Sequence, residues 1–271
     1  MTTTDVSSVP PPVLETDSVL TSANKWDHFQ ARWGYKRSEH RVDAGLYALG
    51  NPTPESPVFV TANYTLSFDA LRAAVDGLDC YILVLDTKGV NVWCAAGKGT
   101  FGTDELVERI KSAALAGVVE HRSVIVPQLG ATGVAAHEVR ARSGFNVVYG
   151  PVRACDIPEF LAAGRATKEM RRVRFGLADR LSVVPVELVH ALIPLIVVAA
   201  GLFLAGGAAA AWAGAACILA GVVLFPVLLP WIPSVDFTTK GLVLGTVVAL
   251  PFAVARVAGS SGPRWGGLGW G

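Results

Sequence analysis

Charged side chains are almost absent after Val183, although they are common before Arg180. This absence excludes one uniform soluble fold and divides the chain into a head of mixed composition and an apolar remainder. The 271 residues also carry a formal net charge of only +1. The chain therefore lacks the basic excess typical of nucleic-acid-binding proteins, and we expect no nucleic-acid partner.

Cysteine is scarce, and the chain has no CxxC pair. The four cysteines are Cys80, Cys94, Cys155 and Cys217. Their spacing argues against a disulfide framework and against an iron–sulfur cluster of the protein's own. Electrons for any redox step must then come from a partner. The histidines likewise lack HExxH spacing, which argues against a zinc hydrolase.

Nucleotide-binding signatures are incomplete. Gly97-Lys98-Gly99-Thr100 looks like the end of a phosphate loop, but the full spacing needs a glycine where the chain has Val92. Gly130, Gly133 and their neighbours do not form the dinucleotide fingerprint. These departures exclude an NTPase and a nicotinamide enzyme.

The first residues lack the basic start and apolar core of a signal peptide, and we expect residues 1–40 to be a partly disordered leader. Apolar stretches at about 183–204, 208–232 and 242–258 approach the roughly 20 residues that a membrane-spanning helix needs. They predict a transmembrane α-helical domain of three helices over 183–260. A short tail follows at 261–271.

Basic residues cluster just before the first apolar stretch, in a predicted juxtamembrane linker over 166–182. The positive-inside rule places this end of the helices in the cytoplasm. We therefore expect a multi-pass protein of the inner (cytoplasmic) membrane, in contact with lipid, whose N-terminal domain lies in the cytoplasm.

The head shows alternating strand and helix patterns. Strands are predicted at 58–62, 81–86, 123–126 and 146–148. Helices are predicted from a Ser67 cap, from Thr103, and over 132–142 with an end at Gly144. The alternation predicts a mostly parallel, doubly wound sheet, hence a Rossmann-like α/β domain over 41–165. Ligands of such sheets bind at the carboxyl ends of the strands.

The segment Asn91-Val92-Trp93-Cys94-Ala95-Ala96-Gly97-Lys98 is the most informative in the chain. It places a thiol beside an indole in a turn of small residues, and Lys98 would favour the thiolate. Ala95, Ala96 and Gly97 remove bulk, which would let a large flat group approach the backbone. The alternative is that Cys94 is an ordinary buried, small hydrophobic residue.

A second polar segment joins the first predicted strand of this series to its helix. Thr61, Asn63 and Ser67 present hydroxyls and an amide at the expected carboxyl edge, where they would contact the polar rim of a cofactor. The alternative is helix-capping chemistry alone.

The octapeptide resembles the signature of the mercury-methylation corrinoid protein family, which is membrane-anchored and works with a ferredoxin-like protein. Residues 45–52, 60–64 and 85–89 resemble that family too. The head is similar, more distantly, to the corrinoid domain of the corrinoid iron–sulfur protein of acetyl-CoA synthesis, which has a different residue at the position of Cys94. The membrane part of the first family is longer than the three stretches found here, and against that family the tail at 261–271 reads as an incomplete or altered C-terminus.

The resemblance implies that residues 91–98 cap the lower face of a corrinoid and that Cys94 is both the catalytic residue and the lower axial ligand of its cobalt. A thiolate opposite a cobalt-bound methyl group would make that group more carbanion-like, which suits transfer to Hg(II). The residues expected to bind the cofactor are Thr61, Asn63, Ser67, Asn91, Val92, Trp93, Cys94, Ala95, Ala96, Gly97, Lys98 and Gly150.

The resemblance further implies a cobalamin-type corrinoid, a ferredoxin-like electron donor with 4Fe–4S clusters, a folate-type methyl donor and Hg(II) as acceptor. The expected activity is that of a corrinoid-dependent methyltransferase that forms methylmercury. One alternative is a corrinoid methyl carrier of one-carbon metabolism of the acetyl-CoA pathway type. Another is a non-catalytic cobalamin-binding or sensing module.

Overall fold

The computed structural model describes residues 12–260. Their backbone forms two compact units, which divide after residue 174 apart from a short crossing at residues 32–34. The predicted tail at 261–271 and the first eleven residues of the predicted leader lie outside the described residues. The boundary falls inside the predicted linker, because Ala166 and Met170 pack on Phe160 in the head.

The head is a mixed α/β domain with six strands and seven α-helices among the described residues. In chain order these are β1 (Leu14–Thr16), α1 (Ser22–Arg32), β2 (Gly45–Leu49), β3 (Val58–Ala62), α2 (Thr65–Ala74), β4 (Cys80–Leu85), α3 (Val92–Lys98), α4 (Thr103–Ser112), α5 (Leu115–Val118), β5 (Ser123–Val126), α6 (Ala136–Ser143), β6 (Asn146–Tyr149) and α7 (Ile157–Ala163).

The six strands form one sheet in the order β1-β2-β4-β3-β5-β6. Every neighbouring pair is parallel except β2 and β4. β3 and β4 are buried along their whole length, as expected of central parallel strands that read as continuous apolar runs. The chain passes from β3 to β4 on one side and later to β5 on the other. The sheet therefore has a topological switch point between β3 and β5, where such sheets bind ligands.

Two predicted helix starts are wrong. α2 begins at Thr65 with Tyr64 as its N-cap, so Ser67 lies in the first turn. The reason is a long-range contact, since the Thr65 N–H donates to the His40 carbonyl at 3.1 Å. α6 begins at Ala136 rather than near 132, because a short 3-10 turn over 128–130 comes first. Its end at Gly144 is confirmed, with φ of 78° at that residue.

The predicted leader is also wrong from residue 12 onward, because β1 and α1 belong to the head. α1 is attached to α2 through buried Asp69, whose carboxylate lies 2.7 Å from His28 Nε2 and accepts from Arg72 Nε at 2.6 Å. Arg72 also donates to the carbonyls of Asp17 and Val19. A polar segment without a hydrophobic period is thus ordered by ion pairs and hydrogen bonds.

His40 forms a second link between the N-terminal segment and α2. Its Nδ1 lies 2.6 Å from Asp27 Oδ1 and its Nε2 lies 2.6 Å from the Tyr35 carbonyl. Asp27 also accepts from the Thr65 hydroxyl at 2.6 Å. Both ring nitrogens face acceptors, so only the imidazolium satisfies both. Burial alone would lower the pKa of His40, but the bonds to Asp27 and Tyr35 outweigh it and raise that pKa.

The pKa of Asp27 is lowered, because its bonds to Thr65 and His40 outweigh the opposite effect of burial. The His40 contribution to stability is complete below the ordinary histidine pKa of 6.5 and is lost as the pH rises through the higher folded-state pKa. The Asp27 contribution is present above 3.8 and is lost as the pH falls through the lower folded-state pKa. Both contributions are therefore complete only in the mildly acidic range.

We predict that His40→Gln destabilises the protein by about 1.5–3 kcal/mol at pH 6, the range for hydrogen bonds to charged groups, and by less at pH 9. The measurement is thermal unfolding of the full chain in detergent at both pH values. His137→Gln is the control, since the His137 side chain is 86% exposed. An equal loss of stability at pH 6 and pH 9 would contradict the charged His40–Asp27 pair.

The second unit is helical, with α8 (Leu177–Leu181), α9 (Val184–Leu219), a π-helical turn (Ala220–Leu224), α10 (Phe225–Leu228) and α11 (Phe237–Ser260). Gly207 interrupts α9 with φ of 76° and ψ of −171°. A Cβ at Gly214 would lie 2.3 Å from Leu202 Cδ1. Twelve residues of straight helix span about 18 Å, so the chain reverses at Gly207.

This reversal lies where the sequence predicts the loop between the first two apolar helices. Two helical stretches, residues 177–228 and 237–257, are long and apolar enough to cross a membrane. The first stretch holds the first predicted helix and residues 208–228 of the second, on either side of the Gly207 break.

Candidate functional site

A cavity of about 390 Å³ opens at the topological switch point of the sheet. We call it the apolar cavity, because most of its wall is hydrophobic. Six of the predicted site residues line it: Thr61, Ser67, Asn91, Val92, Trp93 and Gly150. The sequence patterns missed its apolar wall, formed chiefly by Leu66, Leu71, Ile125, Pro127, Leu129 and Ile157. Apolar residues next to strand ends were the available signal, but they look the same as core residues.

The octapeptide is a helix, not the expected turn. Asn91 caps α3, since its Oδ1 accepts from the Cys94 backbone N–H at 2.9 Å. The helix ends at Gly99, whose φ of 83° needs a glycine. The 3.6-residue period of the helix gives it one buried and one exposed face. Val92, Ala95 and Ala96 face inward, whereas Trp93, Cys94, Gly97 and Lys98 face outward.

Ala95 and Ala96 are small for a different reason from the one expected. Both are buried in the core, and neither lines the apolar cavity. A Cβ at Gly133 would lie 3.1 Å from Ala96 Cα and 2.2 Å from the Phe101 carbonyl oxygen. α3 therefore packs closely against the chain around Gly133, and this internal contact limits side-chain size. Gly97 faces open space.

Cys94 is exposed and not buried, so its reading as a core residue is wrong. Cys80 is the cysteine that fits that description, with 0% exposure. Cys94 lies outside the apolar cavity and lines a neighbouring one of about 550 Å³, together with Lys98. We call this second cavity the cationic cleft; its lining is Arg37, Ser38, Tyr64, Lys88, Gly89, Val90, Asn91, Cys94 and Lys98.

Asn63 lines neither cavity, because its side chain holds the loop between β4 and α3. It is 3% exposed. Its Oδ1 accepts from the Thr87 backbone N–H at 3.1 Å, the Thr87 hydroxyl at 2.9 Å and the Gly89 N–H at 3.0 Å. Its Nδ2 donates to Asp86 Oδ1 at 3.0 Å. Asn63 is thus a positioning residue for the loop that leads into α3.

Asp86 links this loop to Lys88, with which it forms an ion pair. Burial would raise the pKa of Asp86, but hydrogen bonds from Lys88 and Asn63 outweigh it and lower that pKa. The carboxylate therefore stays charged and holds the lysine beside the cleft.

Comparisons with known proteins find similarity in the part of the chain that holds this site. Residues 30–161 match the family model described as CO dehydrogenase/acetyl-CoA synthase delta subunit. The chain is 32% identical to the acetyl-CoA decarbonylase/synthase complex subunit gamma of Methanopyrus kandleri, over 46% of this chain and 27% of that protein. It is 29% identical to the corrinoid/iron-sulfur protein large subunit of Moorella thermoacetica, over 47% and 28%.

The chain therefore spans about a quarter of the length of the curated relatives it matches. The residues matched by the family model include the linings of both cavities. They stop before the helical unit. The similarity is thus a similarity of the head and its site.

We predict that Asn63→Ala lowers the free energy of unfolding by about 2–4 kcal/mol, because buried donors of the loop lose their acceptor. Asn146→Ala, at an exposed position, should change it by less than about 0.5 kcal/mol. Hydrogen exchange should show faster exchange at the Thr87 and Gly89 amides of the Asn63 variant. Unchanged exchange there would contradict the positioning role.

We also predict that iodoacetamide modifies Cys94 and Cys155 in the native protein and modifies Cys80 only after unfolding. Both reactive thiols are exposed. Burial, with a smaller effect of Asp79, raises the pKa of the Cys80 thiol to about 12, which suppresses its thiolate. Peptide mass spectrometry at successive times measures the three rates. Fast modification of native Cys80 would contradict this description of the core.

Proposed function

We propose that this chain is a corrinoid-dependent methyl carrier of the acetyl-CoA pathway type, held at a membrane by its helical unit. The observation that supports it best is an apolar cavity at the switch point of the sheet, with an exposed thiol on the helix that lines it. This cavity lies within residues 30–161, which match the CO dehydrogenase/acetyl-CoA synthase delta subunit family model, and one relative of the chain is a corrinoid/iron-sulfur protein large subunit.

The residues present fit a corrinoid, which has a broad apolar ring with polar amide arms. The wall of the apolar cavity is hydrophobic, while Thr61, Ser67 and Asn91 add polar groups at its edge.

A bound corrinoid would supply a cobalt centre that accepts and releases a methyl group. The chain would contribute the Cys94 sulfur, a soft ligand, from a helix whose start is fixed by Asn91. Trp93, 51% exposed on the same helix, would shield the site from water. Thr61 and Ser67 would orient the rim of the cofactor.

The helical unit supports the membrane anchor. Its two long stretches are strongly apolar, yet almost none of their residues are buried inside the protein. The core helix of a soluble protein would be mostly buried. With the basic residues before α9, this supports a multi-pass protein of the cytoplasmic membrane whose head lies in the cytoplasm.

We expect the full chain to resist extraction by alkaline carbonate and to dissolve in detergent, because its apolar helices would lie in the lipid. Release by carbonate alone would contradict the membrane anchor.

Hg(II) is the second candidate, as the acceptor of the methyl group. Exposure of Cys94 beside an open cleft favours it, because a sulfur ligand suits transfer of a carbanion-like methyl group to a soft metal ion. The relatives named above favour the methyl carrier instead. In either case we propose a ferredoxin-like partner with 4Fe–4S clusters as electron donor and a folate-type compound as methyl donor.

We predict that the full chain in detergent binds cobalamin and that Cys94→Ala removes a sulfur-dependent shift of the visible absorption spectrum. Cys155→Ala, which changes an exposed cysteine outside both cavities, should keep the shift. The Cys94→Ala variant should remain folded, since the Cys94 side chain is exposed. Binding with identical spectra would contradict sulfur ligation, and absence of binding would contradict the proposed function.

An assay of the product separates the two acceptors. Membranes containing the full chain receive a reductant, a methyl donor and Hg(II), and methylmercury is measured. The mercury candidate predicts methylmercury that Cys94→Ala abolishes and Cys155→Ala retains. Methyl transfer to a thiol or a metal cluster without methylmercury would favour the carrier alone.

A further inference from the structure

The cationic cleft adjoins the apolar cavity, and Tyr64 and Asn91 line both. All three charged side chains in the lining of the cleft are basic: Arg37, Lys88 and Lys98. They come from three separate segments, namely the chain after α1, the loop after β4 and the end of α3. Like charges repel one another, so their convergence favours an anionic ligand.

Two of these three basic side chains have no acidic partner among the described residues. Lys88 pairs with Asp86, but the side chains of Arg37 and Lys98 make no hydrogen bond or ion pair among the described residues. Lys36, the neighbour of Arg37, differs in both respects, because it pairs with Glu39 at 3.0 Å and lines another cavity. The cleft therefore carries a positive charge that the surrounding residues do not neutralise.

The third cation is held in place by the fold. Lys88 has φ of 59°, a left-handed conformation that residues other than glycine rarely adopt. The backbone N–H groups of Thr87 and Gly89, on either side of it, donate to Asn63 Oδ1, and these hydrogen bonds stabilise this conformation. The position of the lysine backbone is thus determined before any ligand binds, which reduces the entropic cost of binding.

We propose that the cationic cleft binds the phosphodiester of the nucleotide tail of a cobalamin-type corrinoid whose ring occupies the apolar cavity. This inference rests on the corrinoid-binding function proposed above. Two adjoining cavities of opposite chemistry suit one ligand with an apolar part and an anionic part. Guanidinium and ammonium groups are the usual partners of phosphate oxygens. Cys94, in the lining of the same cleft, would then lie next to the tail.

The test compares cobalamin with cobinamide, which has the ring and its amide arms but no nucleotide and no phosphodiester. Equilibrium dialysis with the full chain in detergent measures both affinities. The double variant Arg37→Ala/Lys98→Ala should weaken cobalamin binding by about tenfold, as expected for loss of charge-assisted hydrogen bonds, and leave cobinamide binding unchanged. Lys36→Ala should change neither, and Arg37→Lys/Lys98→Arg should keep most of the cobalamin affinity.

Each other outcome overturns the proposal in a distinguishable way. If the wild type binds neither corrinoid, the proposed function fails as well. If both corrinoids bind and the double variant weakens both equally or neither, the corrinoid function stands and the phosphodiester site is wrong. In that case, inorganic phosphate that slows alkylation of Cys94 in the wild type but not in the double variant would assign the cleft to a free anion.

Discussion

The site depends on one buried amide. Asn63 follows β3, and its side chain binds three donors of the loop that follows the neighbouring strand β4. That loop leads directly to Asn91, which caps α3 and so determines where Cys94 and Trp93 lie. Two parallel strands thus set the position of the reactive helix through a single side chain. A buried acceptor with three partners also fixes the left-handed backbone at Lys88, which brings a cation to the same rim.

Sequence patterns predicted the elements that local chemistry determines. β3 and β5 agree with the predicted residues because short apolar runs between turn residues have few other solutions. α1 and the start of α2 were missed, because they depend on contacts of His28, His40 and Asp27 with residues far along the chain. No period in the sequence reports such contacts.

Only part of the candidate site was predicted, because local patterns again do not report contacts between distant residues. Thr61, Ser67, Asn91, Val92, Trp93 and Gly150 share the apolar cavity, since strand ends of a parallel sheet meet at one edge. Cys94 and Lys98 line the adjacent cleft, because a seven-residue helix turns them away from Val92. Asn63 was predicted to bind the ligand but instead holds the loop before α3. A polar residue at a strand end can bind either a ligand or a loop, and only its hydrogen-bond partners distinguish these roles.

The central claim is that a corrinoid binds at the apolar cavity and is held by the Cys94 sulfur of α3. The most direct measurement is the rate at which iodoacetamide modifies Cys94 in the full chain, with and without cobalamin, with Cys155 as the internal reference. The account predicts that cobalamin slows modification of Cys94 by at least about tenfold, since an occupied face excludes the reagent, and leaves Cys155 unaffected. Equal rates at Cys94 with and without saturating cobalamin would contradict it.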